Sequence, residues 1–311
     1  MGQDIREAIE DALRTGADLG PIIGAFFRIA HDASKHNQSQ MLEWLDVPLR
    51  AHPPERTANL AVLAGAFVEI GADPKRFPRT VFDRLGEALG AISGADDELP
   101  EWYFLFERAA MAYLSSSPEA RRTLPQKVAL IASLRRYQER YGFLGKMLQV
   151  LDGEPLVVIH PKLGQGFRFV MHGIADNFQL HVLLLAALAG EGPERIPGEL
   201  PSADAVAAAS DGEPAGKASV RSSWQLANWF ALRDDGELDV ADPDRSWIWN
   251  EGVPADIAAL EGTRVVLLGP STIQRGWNAH RVFPGMPGKL EGPIAMDAAE
   301  VRALLAKMKP S

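Results

Sequence analysis

"PLVVIHPKLGQGFRFVMHGI", residues 155 to 174, is where the reading of this chain turns. In its second part Phe167, Phe169 and Met171 alternate with Arg168, Val170 and His172. That period of two predicts a strand with one buried face. PLVVIHP is an apolar run of strand length, and Lys162 to Gly166 supplies a short glycine-containing turn. The stretch reads as a hairpin, and nothing before it has that period.

N-terminal to about residue 150 the apolar positions recur at three and four, as in helices. Ile5, Ile9, Ala12 and Leu13 form one stripe that Gly16 stops. DLGPIIGAFFRIAHDAS is a second helix, and NQSQMLEWLDVPLRAH a third, broken at Pro48. PPERTANLAVLAGAFVEIGA opens on proline and closes on Gly71, the asymmetry of helix ends. FPRTVFDRLGEALGAI and LPEWYFLFERAAMAYLSS follow. After Pro125 the residues Val128, Ile131, Leu134, Tyr137, Tyr141, Leu144 and Leu148 predict one long helix with a continuous buried stripe.

Beyond the hairpin, DNFQLHVLLLAALAGEG reads as a helix capped by Asp176 or Asn177 and ended by Gly190 or Gly192. ADAVAAASDG is a short helix, VRSSWQLANWFAL is ambiguous, and GTRVVLLGP is a short apolar strand. A Pro/Gly-rich passage from Gly269 to Pro293 reads as loop. Asp297, with Glu300 three residues on, caps a closing helix. The expected fold class is a two-part α+β chain: an all-helical N-terminal domain over 1–151, then a smaller α/β domain with a short mixed sheet over 152–311.

Composition sets outer limits on function. At 311 residues the chain suits two domains, and 46% hydrophobic with 23% charged residues is the globular range. A net charge of −9 argues against nucleic-acid or anionic-membrane binding, which needs a basic face. With no cysteine there is no disulfide, thiolate metal site or cysteine nucleophile. MGQDIREAIEDAL is an acidic amphipathic helix rather than a signal sequence, and the apolar run VLLLAALAG is too short to span a bilayer. The expectation is a cytoplasmic protein.

Catalytic patterns are weak. His160, His172 and His181 fall close together around Asp176, and hairpin pairing would bring the first two near each other. Their spacing is nevertheless no metal motif, and His181 on an apolar helix reads as a core histidine. No G-x-S-x-G elbow occurs, and the serines near Trp224 lack a nucleophile's frame. LLGPSTIQRG matches neither common nucleotide-binding pattern. The acidic clusters at Asp96–Glu98, Asp234–Asp235 and Glu237–Asp239 read as solvated loops. The sequence therefore points to no metal and no cofactor, and whether the chain is an enzyme stays open.

What stands out is tryptophan and arginine in the second half. Trp224, Trp229, Trp247, Trp249 and Trp277 crowd together with Arg275 and Arg281, residue types enriched at binding hot spots. The candidate surface is the 269–288 loop with the Trp247–Glu251 turn: Arg275, Trp277, Asn278, Arg281, Trp247, Trp249 and Glu251. Gly276, Gly285 and Gly288 let that loop bend, and Arg281 is the candidate to grip a carboxylate. Of Trp247 and Trp249, one is expected in the core and one at the surface.

Three phrases, GFRFVMHGIADNFQLHVLLLAAL, WIWNEGVPADI and RVVLLGP followed by RGWNAHRVFPGMPG, resemble a recurring set in bacterial proteins of about this length. That set includes the paired peptide-binding proteins of crocagin-type ribosomal peptide biosynthesis. The resemblance covers residues 155 to 290 and leaves the helical half unplaced. It implies a protein that binds a precursor peptide and assists its cyclisation beside a separate oxidative enzyme. A homodimer forming the site is a further expectation. It transfers no catalytic residue. The alternatives are a stand-alone enzyme acting on a small molecule or peptide, and a structural or immunity-type interaction module that binds one folded partner.

Overall fold

The computed structural model describes residues 2–92, 98–136, 142–192, 195–213, 216–239, 241–271 and 275–308. Tyr137, Tyr141, Asp96, Asp97 and Thr272 to Gln274, which figure in the sequence readings above, lie outside the described residues. The chain divides into two compact units, 1–148 and 149–311. The fold is α+β in two parts, as its periodicities predict. The α/β unit is, however, the longer of the two and not the smaller.

Unit one is built from α1 (Gly2–Thr15), α2 (Gly20–His31), α3 (Lys35–Trp44), α4 (Asp46–Ala51), α5 (Pro54–Glu69), α6 (Thr80–Ala91), α7 (Glu101–Ser116), α8 (Pro118–Thr123), α9 (Lys127–Arg135) and α10 (Gly142–Gln149). No strand occurs among its described residues. At its centre α5 crosses α7 closely: a Cβ on Gly65 would lie 3.1 Å from the Ala109 Cα and 3.2 Å from the Ala112 Cβ. Phe26 packs edge-on against Phe67 at 5.5 Å and Trp44 at 5.8 Å. Two helix readings need correction. The third helix breaks at Leu45 and Pro48 lies inside α4, where a proline in the first turn removes no hydrogen bond. Val128 is 80% exposed, so the stripe after Pro125 is not continuous; Leu130, Leu134, Leu144, Met147 and Leu148 are buried.

Unit two centres on a mixed, six-stranded sheet in the order β4-β6-β1-β2-β8, with β5 also on β6. Its strands are β1 (Leu151–His160), β2 (Gln165–Ile174), β4 (Trp224–Asn228), β5 (Ala259–Leu260), β6 (Thr263–Pro270) and β8 (Lys289–Ala295). A separate two-stranded ribbon pairs β3 (Ser219–Arg221) with β7 (Gly276–Asn278). The hairpin forms as its alternation requires: Leu156 faces Phe169 and Val158 faces Phe167 in the register. β6 lies parallel to β1, with Val157 opposite Val265. The passage read as loop from Gly269 to Pro293 holds both β7 and most of β8, a correction that glycine and proline had hidden.

The helices of this unit are α11 (Asn177–Leu188), α12 (Ala203–Ala209), α13 (Pro243–Ser246) and α14 (Ala298–Met308). Asp176 caps α11 by accepting the Gln179 backbone N–H at 2.7 Å, and Asp297 caps α14 in the same way at 2.8 Å. The Glu300 carboxylate reaches back to the Asp297 backbone N–H, which completes the capping box, and it also takes both Arg168 Nη groups. On one face of the sheet, Leu156, Val158, Phe167, Phe169 and Met171 pack against α11. On the other, Val157, Ile159, Val265 and Leu267 meet Val301 and Met308 of α14.

Candidate functional site

α11 explains the site. It is apolar all round, and Leu180, His181, Val182, Leu184 and Leu185 are all buried, so it is a core helix with no solvent stripe. A polar side chain on such a helix must find partners, because an unmade buried hydrogen bond costs about 1–3 kcal/mol. Within a structured α/β core, that requirement pulls neighbouring segments to it.

His181 finds two partners. Its Nδ1 lies 3.2 Å from Asn250 Oδ1, and its Nε2 lies 2.6 Å from Ser222 Oγ. The Trp224 backbone N–H donates to the same Oγ at 3.0 Å, and the Trp224 carbonyl is 2.7 Å away. Burial first of all, with the Arg275 charge adding to it, pushes the His181 pKa down to about 4. The imidazole is neutral at physiological pH.

Two proton arrangements fit these distances. In the first, Nδ1–H donates to Asn250 Oδ1 and Ser222 donates to Nε2, as an activated serine requires. That leaves Asn250 Nδ2 a buried donor without an acceptor, and puts no hydrogen between Ser222 Oγ and the Trp224 carbonyl. In the second, the Asn250 amide is turned over. Its NH2 donates to Nδ1, Nε2–H donates to Ser222 Oγ, and the hydroxyl donates to Trp224. Each buried donor group then has an acceptor. An orphaned buried N–H is less tolerable than an under-used carbonyl, and amide orientation is assigned by such networks, so the second arrangement prevails. In that arrangement the triad braces the core.

This brace lies beneath the residues that the sequence nominates. Asn250 sits between Trp249 and Glu251, and the Ser222 N–H donates to the Arg275 carbonyl at 3.2 Å. Arg275 joins the two nominated stretches: its guanidinium stands 5.0 Å over the Trp249 ring, and Nη2 is 3.2 Å from Glu251 Oε1. Trp277, half-buried, packs on His181 at 5.1 Å and on Phe178 at 5.7 Å, and Phe178 lies 5.8 Å from His280. Asn278 is exposed and accepts from Ser219 Oγ at 3.1 Å. Trp247 is buried and Trp249 half-buried, their rings 5.4 Å apart, so one is core and the other reaches the surface.

Arg281 has a different job from the one its type implies. Nη1 donates to the carbonyls of Ala207 at 2.9 Å, Ala208 at 3.1 Å and Gly212 at 3.1 Å, and Nη2 donates to Pro284 at 3.2 Å. It closes the end of α12, where carbonyls lack partners and the helix dipole favours a cation. Its fork is spent on carbonyls, so the carboxylate-gripping role is withdrawn. His160 and His172 are not together either. They face Gln165 and Asp152 in the register, at opposite ends of the hairpin.

The comparisons add no relative. No family model, curated protein or solved structure matches this chain. The reading of His181 as a core histidine holds, but Asn250, Ser222, Phe178 and His280 were not nominated. The available signal was a histidine in LHVLLLAAL, a helix with no polar side on which to leave it.

Proposed function

We propose that the α/β unit is a peptide-binding module that holds a precursor peptide for modification by a separate oxidative enzyme in natural-product biosynthesis. One observation carries the reading: Arg275 draws the Trp249–Glu251 turn and the 275–280 segment side by side. The result is a partly exposed strip of Trp249, Arg275, Trp277, Phe178 and His280, fixed from below by the His181 brace. Aromatic and arginine side chains on a rigid floor bind with little loss of conformational entropy. Asn278 offers an amide to a peptide main chain, and Glu251 gives the strip an acidic end. No helix among the described residues is long and apolar enough to cross a membrane.

The test is a random peptide-display library panned on the immobilised full chain, with binders then measured by tryptophan fluorescence. Trp249→Ala and Arg275→Ala should each weaken selected peptides by about 1–3 kcal/mol, as hot-spot truncations do. No enrichment, or binders indifferent to both substitutions, would discard the reading. A second copy of the chain completing the strip would make the affinity depend on protein concentration.

A stand-alone enzyme is the second reading, favoured by the serine–histidine–asparagine spacing itself. A fluorophosphonate probe separates the two. Covalent labelling at Ser222 that is lost in Ser222→Ala would support acyl-transfer chemistry. An unlabelled, folded chain is the outcome expected of a brace.

A further inference from the structure

The sheet face opposite α11 is only half covered. Val157, Val170 and Val265 share that face, because Val157 stands beside Val265 and Arg168, and Val170 stands opposite Pro155. α14 seals one end of it through Val301 and Met308. Beside the helix a cleft of about 460 Å³ stays open, floored by those three valines and walled by Leu260, Leu304 and Ile294. Ile294 is 66% exposed at its lip. β8 is held tightly here: a Cβ on Gly292 would stand 2.8 Å from the Arg168 carbonyl oxygen, and the strand bulges between its partners Arg168 and Val170.

We propose that this cleft is a second binding site, for a neutral, largely apolar small molecule. Its volume lies in the range of about 300–1,000 Å³ typical of small-molecule sites. Its rim gives an anion no preferred seat, because the cations beside it among the described residues are paired with carboxylates. Arg168 holds Glu300 through both Nη groups. Lys307 pairs with Glu261 at 2.7 Å and Lys289 with Glu291 at 2.6 Å. Glu261 and Glu291 are occupied by the same pairs, so an organic cation gains nothing either. Nor does the edge invite a partner strand. β8 carries Pro293, which has no N–H, between the charged Lys289–Glu291 pair and the lip, and both features blunt strand addition. What remains is apolar surface without a strand-pairing route or a free charge, which fits a compact uncharged ligand.

The test uses the full-length protein and Nile red, an uncharged dye that brightens in apolar sites. Wild type should show one saturable phase, displaced by decanol and not by decanoate. Val170→Trp and Thr263→Trp each fill the cleft from a different strand and should weaken dye binding by roughly tenfold or more, since the ligand loses the apolar area it would cover. A photoactivated neutral aryl diazirine, which needs no variant, should label the 155–170, 260–265 and 291–304 segments of the wild type. Unsaturable dye binding, equal displacement by decanoate, or labelling confined to other segments overturns the proposal. So does a dimer that dissociates in either filled variant, because the occupant would then be a second copy of the chain.

Discussion

The two faces of the α/β sheet solve the same problem in opposite ways. Under α11 the face is sealed, and the one histidine sealed in with it is tied to Asn250 and Ser222. Under α14 the face is half open, and its polar groups meet only at the rim, as in Arg168 with Glu300. The sealed face gathers three chain segments into one place and makes them rigid. The open face leaves apolar surface uncommitted. The two proposed binding sites therefore differ in kind: one is a surface set upon a braced core, the other a gap in the core itself.

If that contrast holds, the largest penalty belongs to the brace. His181→Ala should lower unfolding free energy by roughly 3–5 kcal/mol in urea, combining a cavity with unpaired partners. A loss below about 1 kcal/mol would mean that the network is slack. Acid is the next probe. The unfolded histidine takes up a proton below 6.5, whereas the folded one does so only near 4. Between those values the unfolded state holds more protons, so stability falls as pH drops through that window. The full difference is on the order of 3 kcal/mol at about 1.36 kcal/mol per unit. The same titration on His181→Asn should be flatter; an unchanged slope would assign the acid response elsewhere.

Arg281→Ala comes third. Removing charge-assisted bonds to the α12 carbonyls should cost about 1.5–3 kcal/mol of stability, and loss of peptide binding without any shift in melting would restore it as a contact residue. The smallest effect should come from the open face. Arg168→Ala breaks a pair whose side chains are 44% and 36% exposed, and such pairs contribute about 0–1 kcal/mol. A penalty as large as that of His181→Ala would show that the two faces are equally rigid and erase the comparison.

Much of this fold is legible in local patterns. The hairpin is announced by Phe167, Phe169 and Met171, α11 by the Asp176 cap, and α14 by Asp297, because each depends on residues within one element. The position of β6 beside β1 is not legible. Parallel pairing of Val157 with Val265 joins residues far apart in sequence, and no local spacing encodes it. β8 was obscured by Gly292 and Pro293, which read as loop but are tolerated on an edge strand. At the site, residue type nominated Trp249 and Arg275, which the structure stacks one on the other. It misled at Arg281, because the same fork that fits a carboxylate also fits a row of helix-end carbonyls. Ser222 was invisible, since its role is defined by what packs on it.

The parallel β1–β6 pair also governs the order in which the unit can be assembled during synthesis. The hairpin is complete once Ile174 is made, yet the strand that flanks β1 begins only at Thr263 and the one that flanks β2 at Lys289. Between those points a two-stranded ribbon has both outer edges unpaired. At about 5–20 residues per second the wait lasts on the order of ten seconds. Isolated ribbons are marginal and their edges recruit other strands, so that interval is when the nascent chain is most open to chaperone capture or to pairing with a neighbouring ribosome's product.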